Sequence, residues 1–218
     1  MKNIFFITLM ISTLFFMQSC STEEESTATT TTTTSQTMTD SAGATVSLDG
    51  TYTRKCEGSS SNYYKPQIVL SATNYTETWP AFSDSDCDNA TYTNITTATF
   101  AVGSATTTSG SDNSSKNDVA VTKIDIAIQS QTLTPKHADT VTSWNSAELY
   151  GFNDWAIDVA KTTWGLNDNG TTNATEVVGY KIYDIWYISG TSFQYGGGDV
   201  DTSKAYPTEL NYSIFVKQ

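Results

Sequence analysis

The chain has 218 residues, of which 11 are Lys or Arg, 23 are Asp or Glu and one is His, for a formal charge of −12 at neutral pH. That acidity argues against a nucleic-acid partner and against adsorption on anionic lipid head groups, both of which it would repel. A lone histidine excludes a metal centre built from several imidazoles, and the length suits one domain that buries a core without a dense disulfide framework.

Taken in order, the chain opens with Lys2 and an apolar run from Ile4 to Phe16, the length of a signal-peptide core and too short to span a bilayer. Met17-Gln18-Ser19-Cys20 follows and resembles the bacterial lipobox, in which a small residue precedes a cysteine that is acylated and becomes the mature N-terminus. The resemblance implies removal of residues 1–19 and attachment to a membrane through acyl chains, palmitate among them, on Cys20. Ser21 stands where an inner-membrane retention signal would place Asp, so the expected address is the outer membrane. The Glu23-Glu24-Glu25 run is similar to a surface-export signal and reads equally as a solvated charge run. Residues 20–45, with an unbroken Thr29–Thr34 tract, hold almost nothing apolar to bury and read as a disordered linker ahead of a single domain over 46–218. With Cys20 committed to lipid, Cys56 and Cys87 remain as a pair in an exported, oxidising setting, and a disulfide between them is expected.

From Ser47 the sequence turns to short alternating runs punctuated by Gly, Asn, Asp and Ser, the pattern of an antiparallel all-β domain. Tyr52, Arg54 and Cys56 share one face of a first strand, and Gln67–Ala72 with Tyr75–Trp79 reads as a hairpin around Thr73-Asn74. Thr91–Val102 and Asp118–Gln131 are long strands, the second expected to carry a bulge near Thr122, where its apolar positions switch from odd to even. Ser146–Tyr150 before Gly151 suits a helical turn, and Trp155, Ile157 and Val159 resume an alternating strand. Gly179–Ile188 is apolar on both faces, so both must be covered; Thr191–Tyr195 and Leu210–Val216 close the series. About eight to ten strands joined mostly by short turns predict a meander barrel, or else a two-sheet sandwich.

Gly50-Thr51-Tyr52 with Cys56, Asp84-Ser85-Asp86-Cys87, Asn153-Asp154-Trp155, Tyr183-Asp184-Ile185 and Pro207-Thr208-Glu209-Leu210 resemble landmarks of small bacterial lipoproteins with a lipocalin-like β domain. The resemblance implies a lipocalin-like barrel and no settled activity.

Candidate chemistry is sparse. Asp84, Asp86 and Asp88 alternate like the opening ligands of a calcium loop, yet the sixth and twelfth positions from Asp84 are Asn89 and Ile95 where an EF-hand needs Gly and Glu. Calcium is therefore the one metal the spacing invites, and a solvated acidic turn is the plainer reading. His137 has no Gly-x-Ser-x-Gly nucleophile elbow to serve, and no other catalytic motif is present, so an enzyme is not expected. Asp184 falls between Ile182 and Trp186 on one strand face and needs a partner such as Arg54 or Lys181, or else contacts a ligand inside a barrel. Aromatic residues near loops, Trp144, Trp155 and Trp164, are better placed for ligand stacking than Trp186 in a central strand. The expectation is a monomeric binding module for a small apolar molecule or glycan; a structural or surface-interaction protein is the alternative.

Overall fold

The structure, a computed structural model, describes residues 34–60, 62–108, 118–171, 178–196, 206–211 and 213–218. The segment read as a signal peptide, Cys20, the acidic run after it and all of the threonine run but Thr34 lie outside the described residues. Thirteen strands occur among those described. β1 (Thr37–Thr39) and β2 (Thr45–Ser47) pair with each other alone. The other eleven form one sheet: β3 (Gly50–Thr53), β4 (Glu57–Ser59), β5 (Asn62–Tyr64), β6 (Gln67–Ser71), β7 (Asn74–Phe82), β8 (Ala90–Thr107), β9 (Ala120–Pro135), β10 (Lys161–Thr162), β11 (Lys181–Ser189), β12 (Ser192–Tyr195) and β13 (Phe215–Lys217).

Eight of these close on themselves. β3 pairs with β6, and the pairing runs on through β7, β8, β9, β11, β12 and β13, which returns to β3; every step is antiparallel. Chain order and ring order coincide, so this is an up-and-down barrel, and the closure leaves no exposed edge among its eight members. Alternation then sets the interior. Cross-strand partners share a face, so Tyr52 opposite Ile68, Leu70 opposite Tyr75, Phe100 opposite Ile126 and Ile188 opposite Phe193 all point inward. They merge with Ile124, Trp186 and Phe215 into one core.

The bulge anticipated near Thr122 belongs to the neighbouring strand. Between Val102 and Ala105 of β8 the register slips by one residue opposite Lys123, while Val121 simply faces outward. Val121 is nevertheless buried, because Ile185, Leu210, Tyr187 and Tyr206 pack with it outside the barrel. This layer covers the second apolar face of β11.

The two ends of the barrel differ. At one, short turns join β6 to β7 and β11 to β12, the latter through Gly190 at a positive φ of 58°. The β1–β2 hairpin plugs this end. Met38 and Leu48 are buried in the barrel core, Ser41 N–H donates to Ile188 O at 2.9 Å, and Tyr52 Oη donates to Leu48 O at 2.9 Å. Part of the threonine-rich stretch read as linker is therefore ordered from Thr37 onward: Met38 and Val46 supply the apolar contacts its composition hides, and Asp40 Oδ1 ties the turn by accepting from Ala42 and Ala44 N–H.

Four connections, three of them long, lie at the opposite end, between β3 and β6, β7 and β8, β9 and β11, and β12 and β13. A disulfide between Cys56 and Cys87, Cα atoms 5.9 Å apart, joins the first two, as the cysteine count led one to expect. The third contains helix α1 (Ala138–Ser146) and a 3₁₀ turn at Leu149–Gly151. The strand expected over Trp155–Val159 is absent. Those residues form a turn in which Ile157 and Val159 are exposed, tied to the end of β9 by Asp158 N–H donating to Pro135 O at 2.9 Å. Among the described residues, no helix is long and apolar enough to cross a membrane.

Candidate functional site

A half-enclosed cavity of about 180 Å³ lies inside the barrel toward the end that carries the long connections. Its floor is aromatic: the Trp186 ring meets Phe193 edge-on at 5.1 Å and Phe100 at 5.2 Å, and Tyr75 lies 6.2 Å away. Trp186 and Phe193 are shut from bulk solvent. Ile126 and Ile182 from adjacent strands form an aliphatic wall. Opposite, β7 projects Tyr75, Glu77 and Trp79 at alternate positions, which a strand places on one face.

Two carboxylates reach this space. Asp184 is buried, and its Oδ1 accepts from the N–H of Ile185 at 2.8 Å and of Gly196 at 3.0 Å, while Oδ2 accepts from Trp186 Nε1 at 3.1 Å. These bonds set neutral dipoles against the carboxylate, part of the compensation expected of Arg54 or Lys181. Lys181 instead approaches Asp125, at 4.0 Å. Gly196 has no room for a side chain: a Cβ there would sit 2.7 Å from Ile185 Cγ1 and 3.0 Å from Asp184 Oδ1. Glu77 is the second carboxylate. Burial pushes its pKa up, against the opposing pull of hydrogen bonds from Trp79 and Tyr75 and of the Arg54 charge. Its side chain keeps partial exposure.

The tyrosine hydroxyls register the same field. Burial raises Tyr75 and Tyr195 well above the ordinary phenol range, and the Glu77 and Asp184 charges both push further in that direction. Among the described residues Arg54 is a nearby cation. Its guanidinium lies 5.8 Å from the Trp79 ring and 5.7 Å from Phe215, and it is ion-paired with Glu57. Arg54 Nε and Asn94 Oδ1, which flank Trp79, are buried with no hydrogen-bond partner. Unmatched buried polar atoms are costly; Thr163 Oγ1 and Trp164 Nε1 are two more, and none of the four residues lines this cavity.

A second depression, about 810 Å³ and open to solvent, runs along Arg54–Glu57, Lys65, Ile214 and Val216. It is larger and about as open as the barrel cavity, and no buried acid lines it.

Of the residues singled out by sequence, Asp184 lies in the cavity wall. Trp144 and Trp155 lie elsewhere, packed on each other at 4.8 Å and on Tyr92 and Phe152 in a cluster that docks α1 through Tyr92, which shares the inward face of β8 with Asn94 and Phe100. Asn145 fixes this cluster by bonding both Trp155 N and Trp155 O, and the Lys161 ammonium caps it 5.7 Å from the Trp155 ring. Trp164 packs on the edge of the core beside Tyr180, its Nε1 buried and unbonded. Trp186, the less favoured indole, is the one that forms the cavity floor. Asp84 spends its carboxylate on its own loop, accepting from Asp88 N, Asn89 N and Asn89 Nδ2. Among the described residues no three acidic, histidine or cysteine side chains gather as a metal site, so Asp84, Asp86 and Asp88 do not converge on a calcium position. His137 caps α1, its Nδ1 accepting from Asp139 N at 3.2 Å.

Glu77 escaped the sequence reading. The signal was the same one that picked out Asp184, a charge flanked at i±2 by apolar or aromatic residues on one strand face, here Tyr75 and Trp79.

The fold and cavity define a closed up-and-down β-barrel with one plugged end and a polar pocket beneath the other. No protein-family model matches the chain, and no curated protein shows significant similarity to it.

Proposed function

We propose that the chain is an exported binding protein, tethered at the outer membrane through acyl chains on Cys20, whose barrel holds one small molecule. The observation that carries this reading is the half-enclosed cavity, with an aromatic floor and two carboxylates where a filled barrel would have only aliphatic packing. At about 180 Å³ it suits a compact molecule of roughly benzene size, since a cavity of ~150 Å³ accepts benzene. Extended glycans are too large for it. The acyl anchor is durable because each buried methylene adds about 0.8 kcal/mol, so several chains together resist release.

Native mass spectrometry of the protein purified from its own host tests the binding reading. A retained small molecule supports it; an empty protein whose interior also takes up no small aromatic probe overturns it. Cys20→Ser tests the tether separately, and a variant that stayed with the membrane would overturn that part. A surface-interaction role is the second reading, favoured by the tight filling of the rest of the barrel, where Leu48, Ile68, Ile124, Phe193 and Phe215 are wholly buried. It predicts a partner protein on the outside and an interior indifferent to probes.

A further inference from the structure

We infer that the molecule held in the barrel is a small uncharged aromatic bearing a hydroxyl, a phenol in chemical class, with its ring over Trp186 and Phe193 and its hydroxyl between the Glu77 carboxylate and the Tyr195 hydroxyl. The inference rests on the binding reading above and names the class of ligand.

Two polar groups with capacity to spare face the cavity. An ionised carboxylate accepts up to about four hydrogen bonds. Among the described residues Glu77 takes two, from Trp79 and Tyr75. Tyr195 packs its ring on Phe193 and Phe215, and its hydroxyl has no hydrogen-bond partner among the described residues. Both side chains line the same space, and the Glu77 charge acts on the Tyr195 hydroxyl across it. One ligand hydroxyl satisfies the pair, donating to the carboxylate and accepting from the phenol of Tyr195. An ether oxygen serves only Tyr195, and an ammonium group only Glu77.

Charge gives no reason for an ion. The Arg54 guanidinium already acts on Glu77, and Asp184 is engaged by at least three N–H donors, so the space offers hydrogen-bonding partners rather than an unmet charge. An ammonium ion would give up its hydration for acids that are already engaged, and a carboxylate would meet Glu77 at close range.

Shape selects the ring. Trp186 and Phe193 make the floor and Ile126 and Ile182 one wall, with Tyr75 and Trp79 opposite, so an aromatic body finds apolar and ring surface on several sides. About 180 Å³ holds one six-membered ring with a small substituent, given that ~150 Å³ accepts benzene.

Calorimetric titration of the purified protein with phenol, toluene, benzylammonium and benzoate tests the inference. Phenol and toluene have nearly the same size, and in a purely apolar cavity toluene would win, because phenol would lose the hydration of its hydroxyl for nothing. Here phenol should bind about 10-fold more tightly than toluene, benzylammonium more weakly than phenol, and benzoate not at all. Glu77→Gln keeps one acceptor oxygen without the charge and should weaken phenol roughly 5- to 10-fold; Tyr195→Phe keeps the ring and should weaken it about 5-fold. Neither should move toluene, which makes no hydrogen bond. If either variant fails to fold, the wild-type order of phenol over toluene decides alone. Toluene binding as tightly as phenol, or benzylammonium more tightly, would overturn the hydroxyl and leave the binding reading standing. No binding by any of the four would overturn both.

Discussion

Met38 offers the sharpest test of how the barrel is closed. It sits in a stretch whose composition is that of a tether, yet its side chain is only 5% exposed and packs into the same core as Leu48 and Phe193. Truncating a buried Met to Ala costs about 2–5 kcal/mol, and a residue at the barrel rim, where neighbours can partly collapse, belongs near 2–3. For a domain of this size each kcal/mol moves the midpoint by about 2–4 °C, so Met38→Ala should melt about 4–12 °C below wild type. Thr37→Ala and Thr39→Ala change exposed side chains on either side, and each should stay within about 0.5 kcal/mol. Urea unfolding followed by tryptophan fluorescence measures all three, since Trp186 lies in the floor that the plug protects. Were Met38→Ala indistinguishable from the two threonine variants, the hairpin would not be part of the cooperative domain and the plugged end would be wrong.

Other expectations follow from the same contacts. Reducing the Cys56–Cys87 bond, which closes a loop with a sequence separation of 31, should cost roughly 3–4 kcal/mol in urea unfolding; equal midpoints with and without reductant would contradict the chain-entropy estimate. Gly196→Ala should lose about 1–3 kcal/mol, because its Cβ would press on Ile185, Pro207 and Asp184 together; an unchanged melting point would show that this corner yields easily. Glu77 has a folded-state pKa above its unfolded value, so the stability it contributes is complete at acid pH and is lost as the pH rises through the folded pKa. Glu77→Gln should therefore gain on wild type between acid and neutral pH, and a gap that stayed constant would refute the assignment. Burial pushes Tyr52 and Tyr92 up to about 12, so their contribution is intact below the ordinary phenol value near 10 and disappears as the pH climbs through about 12. Phenolate absorbance should appear together with unfolding, and smooth titration near pH 10 in a folded protein would argue against it.

Much of the barrel was legible because alternation is a local signal. The inward residues follow a period of two over Tyr92–Val102 of β8, Thr122–Ile128 of β9 and Ile182–Ile188 of β11, breaking at a bulge on β9 at Gln129 and at the one on β8 after Val102, and the turn at Ala72-Thr73 falls within a residue of the position read from Thr73-Asn74. Helix α1 was not legible: Ala138-Asp139-Thr140-Val141-Thr142 is rich in β-branched residues, has no buried side chain, and starts on a histidine cap. It is held from outside, by Asn145 and Trp144 against Trp155, contacts that join residues in different segments. The β1–β2 hairpin was hidden for a similar reason, since one buried methionine in a threonine background carries little pattern. The site was half legible. Asp184 stood out on an apolar face, but the indoles near loops turned out to be structural, because loop position alone does not say whether a ring faces a cavity or another ring. Trp186 was discounted as core, and it is core, at the point where the core stops being filled.

Methyl NMR of the folded barrel, titrated with small neutral aromatic probes, tests the central claim most directly. The account predicts shifts at the methyls of Ile68, Ile126 and Ile182, which line the cavity, with Ile157, Val159, Ile214 and Val216 on the surface unmoved. Silence at the three interior isoleucines, with the surface methyls responding instead, would contradict a ligand held inside the barrel.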